Sequence, residues 1–234
     1  GIQGGQMFNF GDREVNYFKN GFNGLINFSF KYDANGSYEE LFTLYDNILK
    51  SDLNGFTVMN YGTSHDDNDP FDKQRNRTYE MATKLLLTPG ISQIYYGDET
   101  ARSLEIEGAQ GDATLRSVMN WKDIQGNKET QNILAHYQKL GKFRADHPAV
   151  GAGQHLTLDN EPFVFARIFT RGAYKDQVVV GLDLNAGKKT IPVQNIFAEG
   201  EKVRDAYSDV TSVVKDGKVT IDSQNSIVLL ALKN

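Results

Sequence analysis

The sequence predicts an α/β chain with an all-β end: parallel βαβ units over residues 1–147, then an antiparallel sandwich over residues 148–234. Two observations carry this. Short apolar runs begin near positions 25, 56 and 91, and each gap holds one helical pattern. Strand–helix–strand spacing of about thirty residues requires a parallel sheet. After Pro148, short strand-like runs follow one another without helices, which is the pattern of a sandwich.

The elements follow in order. Gly1 to Gln6 reads as a loop, since three glycines in five residues nucleate neither helix nor strand. Arg13 to Phe18 is a candidate short helix. Gly24 to Phe30 is apolar and short, a buried strand. Ser37 with Glu40 three residues on is a capping-box signature, and Leu41, Leu44, Tyr45, Ile48 and Leu49 repeat at helical spacing, so a helix is expected from Ser37 to Lys50. Asn54-Gly55 breaks it, and Phe56 to Tyr61 is the next strand. Gly62 to Asn76 is too rich in Asp, Asn and Pro for regular structure. Thr78 to Leu87 is a helix stopped by Pro89-Gly90, and Ile91 to Tyr96 is the third strand. A long loop is expected from Gly97 to Gly126, then a helix from Glu129 to Arg144 closed by His147-Pro148. Strands are expected at Phe163–Phe169, Gln177–Leu184, Lys189–Val193, Lys218–Asp222 and Ser226–Leu232, with Asn185-Ala186-Gly187 and Asp216-Gly217 as turns.

Composition narrows the function classes. The 234 residues carry 30 acidic and 25 basic side chains, a net charge of −5. Mild acidity speaks against a nucleic-acid partner, which usually meets a basic face. No segment approaches the ~18 uninterrupted apolar residues of a membrane span. No charged segment precedes an apolar one in the manner of a signal peptide. The absence of cysteine removes disulfides, zinc–thiolate sites and cysteine nucleophiles and leaves the compartment open.

The richest chemistry lies in the polar loop from Gly62 to Asp72, after the second strand. Ligands of parallel α/β folds bind at the carboxyl ends of strands. His65, Asp66, Asp67, Asp69 and Asp72 crowd this loop. Four carboxylates so close repel unless a cation, a basic partner or sugar hydroxyls use them. The plainer reading is an acidic loop that caps the following helix. Asp67-Asn68-Asp69 alternates oxygen ligands as calcium loops do, but lacks the glycine and distant glutamate of an EF-hand. His136, His147 and His155 fit structural or exposed roles better than catalytic ones. Asp98-Glu99 also faces the active edge of the sheet, as a substrate-binding carboxylate pair or a loop cap. Tyr96 and Trp121 have faces that suit a sugar ring, although core packing is the more common role. No Walker loop, nucleophile elbow, dinucleotide glycine fingerprint or zinc spacing is present.

Ser64-His65-Asp66 at a strand end resembles the Asn-His-Asp motif of the α-amylase family of glycoside hydrolases. Leu86 to Glu99 (LLTPGISQIYYGDE) looks like that family's eighth barrel strand and its lead-in. Lys142 to Val150 resembles the join between the last barrel helix and the C-terminal sandwich, and Gly21 to Phe28 is similar to the sixth-strand region. The resemblance spans nearly the whole chain in the right order. It implies an incomplete (β/α)8 TIM barrel, strands six to eight with their helices, followed by an antiparallel β-sandwich.

That family is implied to act on α-1,4-glucans such as starch and maltooligosaccharides by a retaining mechanism. Retention needs two carboxyl groups about 5–5.5 Å apart, a nucleophile and an acid/base. Asp66 matches the family's third carboxylate, the catalytic group that stabilises the oxocarbenium-like transition state. His65 matches the histidine that hydrogen-bonds the same sugar. The nucleophile and general acid belong to strands four and five, which this resemblance sets before residue 1, so the chain alone is expected to be inactive. Ser64 replaces the usual asparagine, and no arginine closely follows Asp66, unlike the chloride-dependent members. No cofactor or metal ligand is expected within this chain; the calcium usual in the complete enzymes draws on other parts. The implied partners are an α-glucan and the remaining N-terminal part of the barrel, without nucleic acid or a membrane span. The complete enzyme is expected to be secreted or periplasmic. Two alternatives stay open: a non-catalytic glycan-binding or structural module, and a transglycosylase or trehalose-forming relative.

Overall fold

The structure is a computed structural model that describes residues 5–233; of the loop expected at Gly1 to Gln6, the first four residues lie outside the described residues. The backbone divides into two compact units, Gly1–Gln138 and Lys139–Asn234.

The first unit opens on a hairpin where a short helix was expected at Arg13 to Phe18. Strand β1 (Phe8–Asn9) pairs antiparallel with β2 (Glu14–Val15). The Phe10 N–H bonds the Arg13 carbonyl at 2.9 Å, and the Asn9 side chain accepts from the Gly11 N–H at 2.7 Å. This local turn chemistry defeats a helix too short to nucleate.

The parallel sheet forms as expected, in the order β3 (Gly24–Asn27), β4 (Thr57–Tyr61), β5 (Ile91–Gln93). Strand β3 is shorter than predicted because the Asn27 carboxamide takes the Ser29 N–H at 3.1 Å and turns the chain into α1 (Phe30–Asp33). Helix α2 (Tyr38–Lys50) carries the predicted capping box: Ser37 Oγ accepts the Glu40 N–H at 3.2 Å, and the Glu40 carboxylate accepts the Ser37 N–H at 2.8 Å. Helix α3 (Thr78–Leu87) matches its predicted bounds.

One face of the sheet is closed by helices. Leu41, Phe42, Tyr45, Leu85 and Val58 are buried there. Two buried asparagines knit it together: Asn27 Nδ2 donates to Tyr45 OH at 2.6 Å and to Asn60 Oδ1 at 2.9 Å, and Asn60 Nδ2 donates to the Pro89 carbonyl at 3.0 Å. Gly90 (φ 105°) passes so close to β4 that a Cβ there would lie 2.9 Å from the Val58 carbonyl oxygen. On the opposite face Ile26, Met59 and Ile91 share one row across the strands, with Ile26 51% and Ile91 50% exposed.

The expected loop from Gly97 to Gly126 contains a helix the sequence reading missed, α4 (Trp121–Gly126). Helix α5 (Lys128–Asp146) follows, its start fixed by the Asn127 side chain, which accepts from the N–H groups of Glu129 and Thr130. It runs through the boundary between the units. Among the described residues no helix is long and apolar enough to cross a membrane.

The second unit begins within α5 and holds the antiparallel strands that the sequence predicts after Pro148. After α6 (Ala149–Ala152) come β6 (Gln154–Asn160), β7 (Phe163–Arg171), β8 (Tyr174–Gly181), β9 (Gly187–Pro192), β10 (Lys202–Asp205), β11 (Thr211–Val213), β12 (Lys218–Ser223) and β13 (Val228–Leu232). One sheet has the order β11-β10-β13-β8-β7-β6, and β9 pairs with β12 in the other. Val164, Ala166, Val179, Val203, Val228 and Leu230 of the first pack with Ile191, Val219 and Ile221 of the second. At Asp216-Gly217 both residues have positive φ, and Lys215 and Lys218 exchange two backbone bonds, a two-residue hairpin turn as predicted.

Candidate active site

All three parallel strands end at one edge, so the segments that follow β3, β4 and β5 gather there. The loop after β4 is braced from several sides. Asp67 forms an ion pair with Lys31 of α1 and accepts from Tyr61 OH at 3.1 Å and from the Asp69 N–H at 3.1 Å. The Phe71 N–H returns to the Gly62 carbonyl at 2.9 Å. Asp72 caps α3, accepting the Arg77 N–H at 3.0 Å and the Thr78 hydroxyl at 2.7 Å. Arg75 donates to Asp98 at 2.8 Å and to the Arg102 carbonyl at 2.7 Å.

Electrostatics follow this bracing. Burial opposes the Asp67 charge, but the bonds from Lys31, the Asp69 N–H and Tyr61 bring its carboxyl below the ordinary range. Burial likewise works against the Lys31 charge, and its contacts with Asp67 and Tyr32 raise the ammonium above its usual value overall. Burial, then the Asp67 charge, pushes the Tyr61 phenol up. The repulsion expected among the loop carboxylates is thus relieved by Lys31 at Asp67 and by a helix N-terminus at Asp72.

His65 and Asp66 are left open. Their side chains are 64% and 62% exposed, with His65 Nε2 3.8 Å from Asp66 Oδ2. Ser64 Oγ donates to Asp66 Oδ1 at 2.9 Å, so the residue that departs from the family motif still orients the carboxylate. Arg116, itself paired with Asp112 at 2.6 Å, donates to the His65 carbonyl at 3.0 Å. An exposed carboxylate beside an imidazole at a strand end can accept hydroxyl protons from a polyol and face a developing positive charge. Phe28, 67% exposed, sits edge-on to Tyr61 at 6.1 Å between ring centroids. Lys31, Tyr61 and Arg116 escaped the sequence reading because their roles depend on contacts 6 to 51 residues apart in sequence.

The other candidates separate. Asp98 is buried against Arg75 and does not open onto the edge; burial drives its pKa up against the pull of Arg75. His136 bonds Thr83 Oγ1 at 3.0 Å, His147 bonds Asp176 at 2.9 Å, and His155 accepts from Arg167 at 2.9 Å, all structural roles as expected. Tyr96 donates to the Ser117 carbonyl at 2.8 Å and has the Arg102 guanidinium 3.9 Å from its ring centroid. Trp121, expected in a core, is 67% exposed at the start of α4, because the apolar stripe needed to bury it is missing from so short a helix. Among the described residues no three His, Asp or Glu side chains gather as a metal site. Asp67, the first oxygen of the calcium-like run, is instead committed to Lys31. A cavity of about 390 Å³ lies among Lys73, Arg75, Arg102, Glu105, Ser117 and Asn120, and neither His65 nor Asp66 lines it.

No family model matches the chain. It is 35% identical over 157 residues to the periplasmic α-amylase of Escherichia coli (strain K12), an alignment covering 66% of this chain and 22% of that protein. It is 25% identical over 156 residues to the amylopullulanase of Thermoanaerobacter thermohydrosulfuricus, covering 61% and 10%. The chain therefore spans less than a quarter of either relative. Its fold resembles the crystal structure of the α-amylase from Geobacillus thermoleovorans, with a TM-score of 0.63, 16% identity, and coverage of 93% of this chain and 50% of that one. An Anoxybacillus α-amylase gives a TM-score of 0.61, 22% identity, and coverage of 93% and 49%.

Proposed function

From a chain related in sequence to α-amylases and built like part of one, we propose a piece of an α-glucan-acting glycoside hydrolase that works with retention. Residues 1–147 form the C-terminal part of its catalytic barrel and residues 148–234 its sandwich domain. What carries the reading is the exposed His65–Asp66 pair at the end of a parallel strand, in a chain with these relatives. Asp66 supplies negative charge beside the oxocarbenium-like transition state, where an anion is worth more than in the ground state. His65 holds a hydroxyl of the same sugar and, with Ser64, keeps the carboxylate aimed. Lys31 and Tyr61 act through Asp67 to hold the loop.

The nucleophile and general acid come from the rest of the barrel, so this chain alone does not hydrolyse glucans. The row of Ile26, Met59 and Ile91, exposed at Ile26 and Ile91, is the lumen surface that the remaining strands cover, since a (β/α)8 barrel closes only with eight strands. Calcium, where the complete enzyme uses it, is held by that remainder. The periplasmic relative favours a periplasmic or secreted location for the complete protein.

The test is proton NMR of the complete protein and of this chain, each with maltoheptaose. The complete protein should release the α-anomer first and this chain should release nothing. Release of the β-anomer first would overturn retention, and turnover by the chain alone would overturn the division of the site. Micromolar binding of maltoheptaose by an inactive chain would favour the glycan-binding alternative.

A further inference from the structure

The chain that follows β5 reaches back to the candidate site, and Arg102 fixes its course. The Arg102 side chain is 1% exposed, and its hydrogen-bond partners among the described residues are all neutral oxygens. Nε donates to the Tyr96 carbonyl at 3.0 Å and Nη2 to the Leu115 carbonyl at 3.2 Å. Nη1 donates to the Ser103 carbonyl at 3.4 Å, to the Ser117 carbonyl at 3.1 Å and to the Ser117 hydroxyl. The Tyr95 hydroxyl adds a bond to the Leu115 carbonyl at 3.2 Å, and the Tyr96 hydroxyl one to the Ser117 carbonyl at 2.8 Å. Arg102 lies so close over Gly97 that a Cβ there would be 2.4 Å from its Nε. A buried guanidinium must place its N–H groups on acceptors. Here most of those acceptors are main-chain carbonyls, so satisfying the charge also fixes the backbone.

The gripped carbonyls of Leu115 and Ser117 stand on either side of Arg116. From that fixed backbone the Arg116 side chain, 48% exposed, extends to the loop after β4. Its Nε donates to the His65 carbonyl at 3.0 Å, while Asp112 holds its Nη2 at 2.6 Å. Among the described residues this is the one hydrogen bond that the His65 main chain makes. The Lys31–Asp67 pair and the Asp72 cap hold the loop farther along. Arg116 holds it at His65 itself, with a charged donor, which bonds more strongly than a neutral one.

We propose that Arg116 is a positioning residue: presented by the backbone that Arg102 locks, it tethers the His65 main chain and so sets where the His65–Asp66 pair meets the sugar. The proposal rests on the reading of that pair as part of a glucan-cleaving site.

The test uses Arg116→Ala and Arg116→Lys in the complete protein, with two readouts. On maltoheptaose, Arg116→Ala should lower kcat by about 10–100-fold with KM held within ~3-fold, since a small misplacement of reacting groups costs rate more than binding. Arg116→Lys keeps a charged donor and should recover most of the loss. A raised KM with kcat unchanged would make Arg116 a direct sugar contact and overturn the proposal, as would unchanged kcat. The second readout needs no turnover. With 15N-histidine labelling, the amide order parameter of His65 should fall from about 0.85 to below about 0.6 in Arg116→Ala, with those of His136 and His147 unchanged. An unchanged His65 value, or an equal fall at all three histidines, would refute the tether. Absence of glucan turnover in the unsubstituted protein would overturn the glycosidase reading instead, and the order parameter would still decide the tether.

Discussion

Replacing Asp67 with alanine tests whether the loop is held as described. The Lys31 side chain is 5% exposed and that of Asp67 17%. Removing one partner of a buried pair leaves the other charge uncompensated, at about 3–5 kcal/mol. The remaining access to water and the Lys31 contact with the Tyr32 ring, 4.7 Å away, set the expectation near ~3 kcal/mol. At about 2–4 °C per kcal/mol for a chain of this size, the midpoint of the first unit should fall by about 6–12 °C. The pH profile adds a sign. Asp67 titrates below its usual 3.8, so its stabilisation is complete above that value and lost as pH falls through the depressed one. Lys31 titrates above its usual 10.5, so its stabilisation is complete below that value and lost as pH rises through the raised one. Calorimetric scans from pH 2 to 11 should therefore show the variant furthest from wild type on a plateau between about pH 4 and 10.5. A midpoint within about 1 °C of wild type, or a pH-independent difference, would refute the bracing argument.

The remaining predictions concern other supports and are read by thermal or denaturant unfolding. Glu80 is held at about 2, first by the Arg77 bond, with burial opposing and Lys84 assisting. Its stabilisation is present above its usual 4.5 and lost as pH falls toward about 2. The full gap sets a ceiling of ~3 kcal/mol, which screening at a one-third-exposed side chain reduces to ~1–2 kcal/mol. Glu80→Gln should cost that much at pH 7 and progressively less on acidification. Asp205, fully buried, accepts from the N–H groups of Leu229, Tyr207 and Ser208 and from the Ser208 hydroxyl. Asp205→Ala strands those donors and should destabilise the second unit by about 3–5 kcal/mol. Ser37→Ala removes the cap of α2 and should cost about 1 kcal/mol.

The parts of the fold that rest on local signals were legible in the sequence. Ser37 with Glu40 marked the start of α2, and Pro89-Gly90 the end of α3. Strands β6, β10 and β11 were missed because Gln154–Asn160, Lys202–Asp205 and Thr211–Val213 carry few apolar residues, and pairing with richer neighbours makes them strands. The hairpin at Phe8–Val15 was missed because its turn depends on Asn9 and Gly11, not on apolar periodicity. At the candidate site, motif and strand order were enough to single out His65 and Asp66. Lys31 and Tyr61 were invisible, since an ion pair across 36 residues leaves no spacing signature.

The most direct test of the central claim is kcat/KM of the complete protein on a maltooligosaccharide with Asp66→Asn. The substitution keeps the size of the side chain and an acceptor for Ser64 and removes the charge. Loss of charge opposite an oxocarbenium-like centre should lower kcat/KM by at least about 10²–10³-fold, with most of the loss in kcat and thermal stability little changed. Turnover within a few-fold of wild type would contradict the assignment of Asp66 as the charge that the transition state meets.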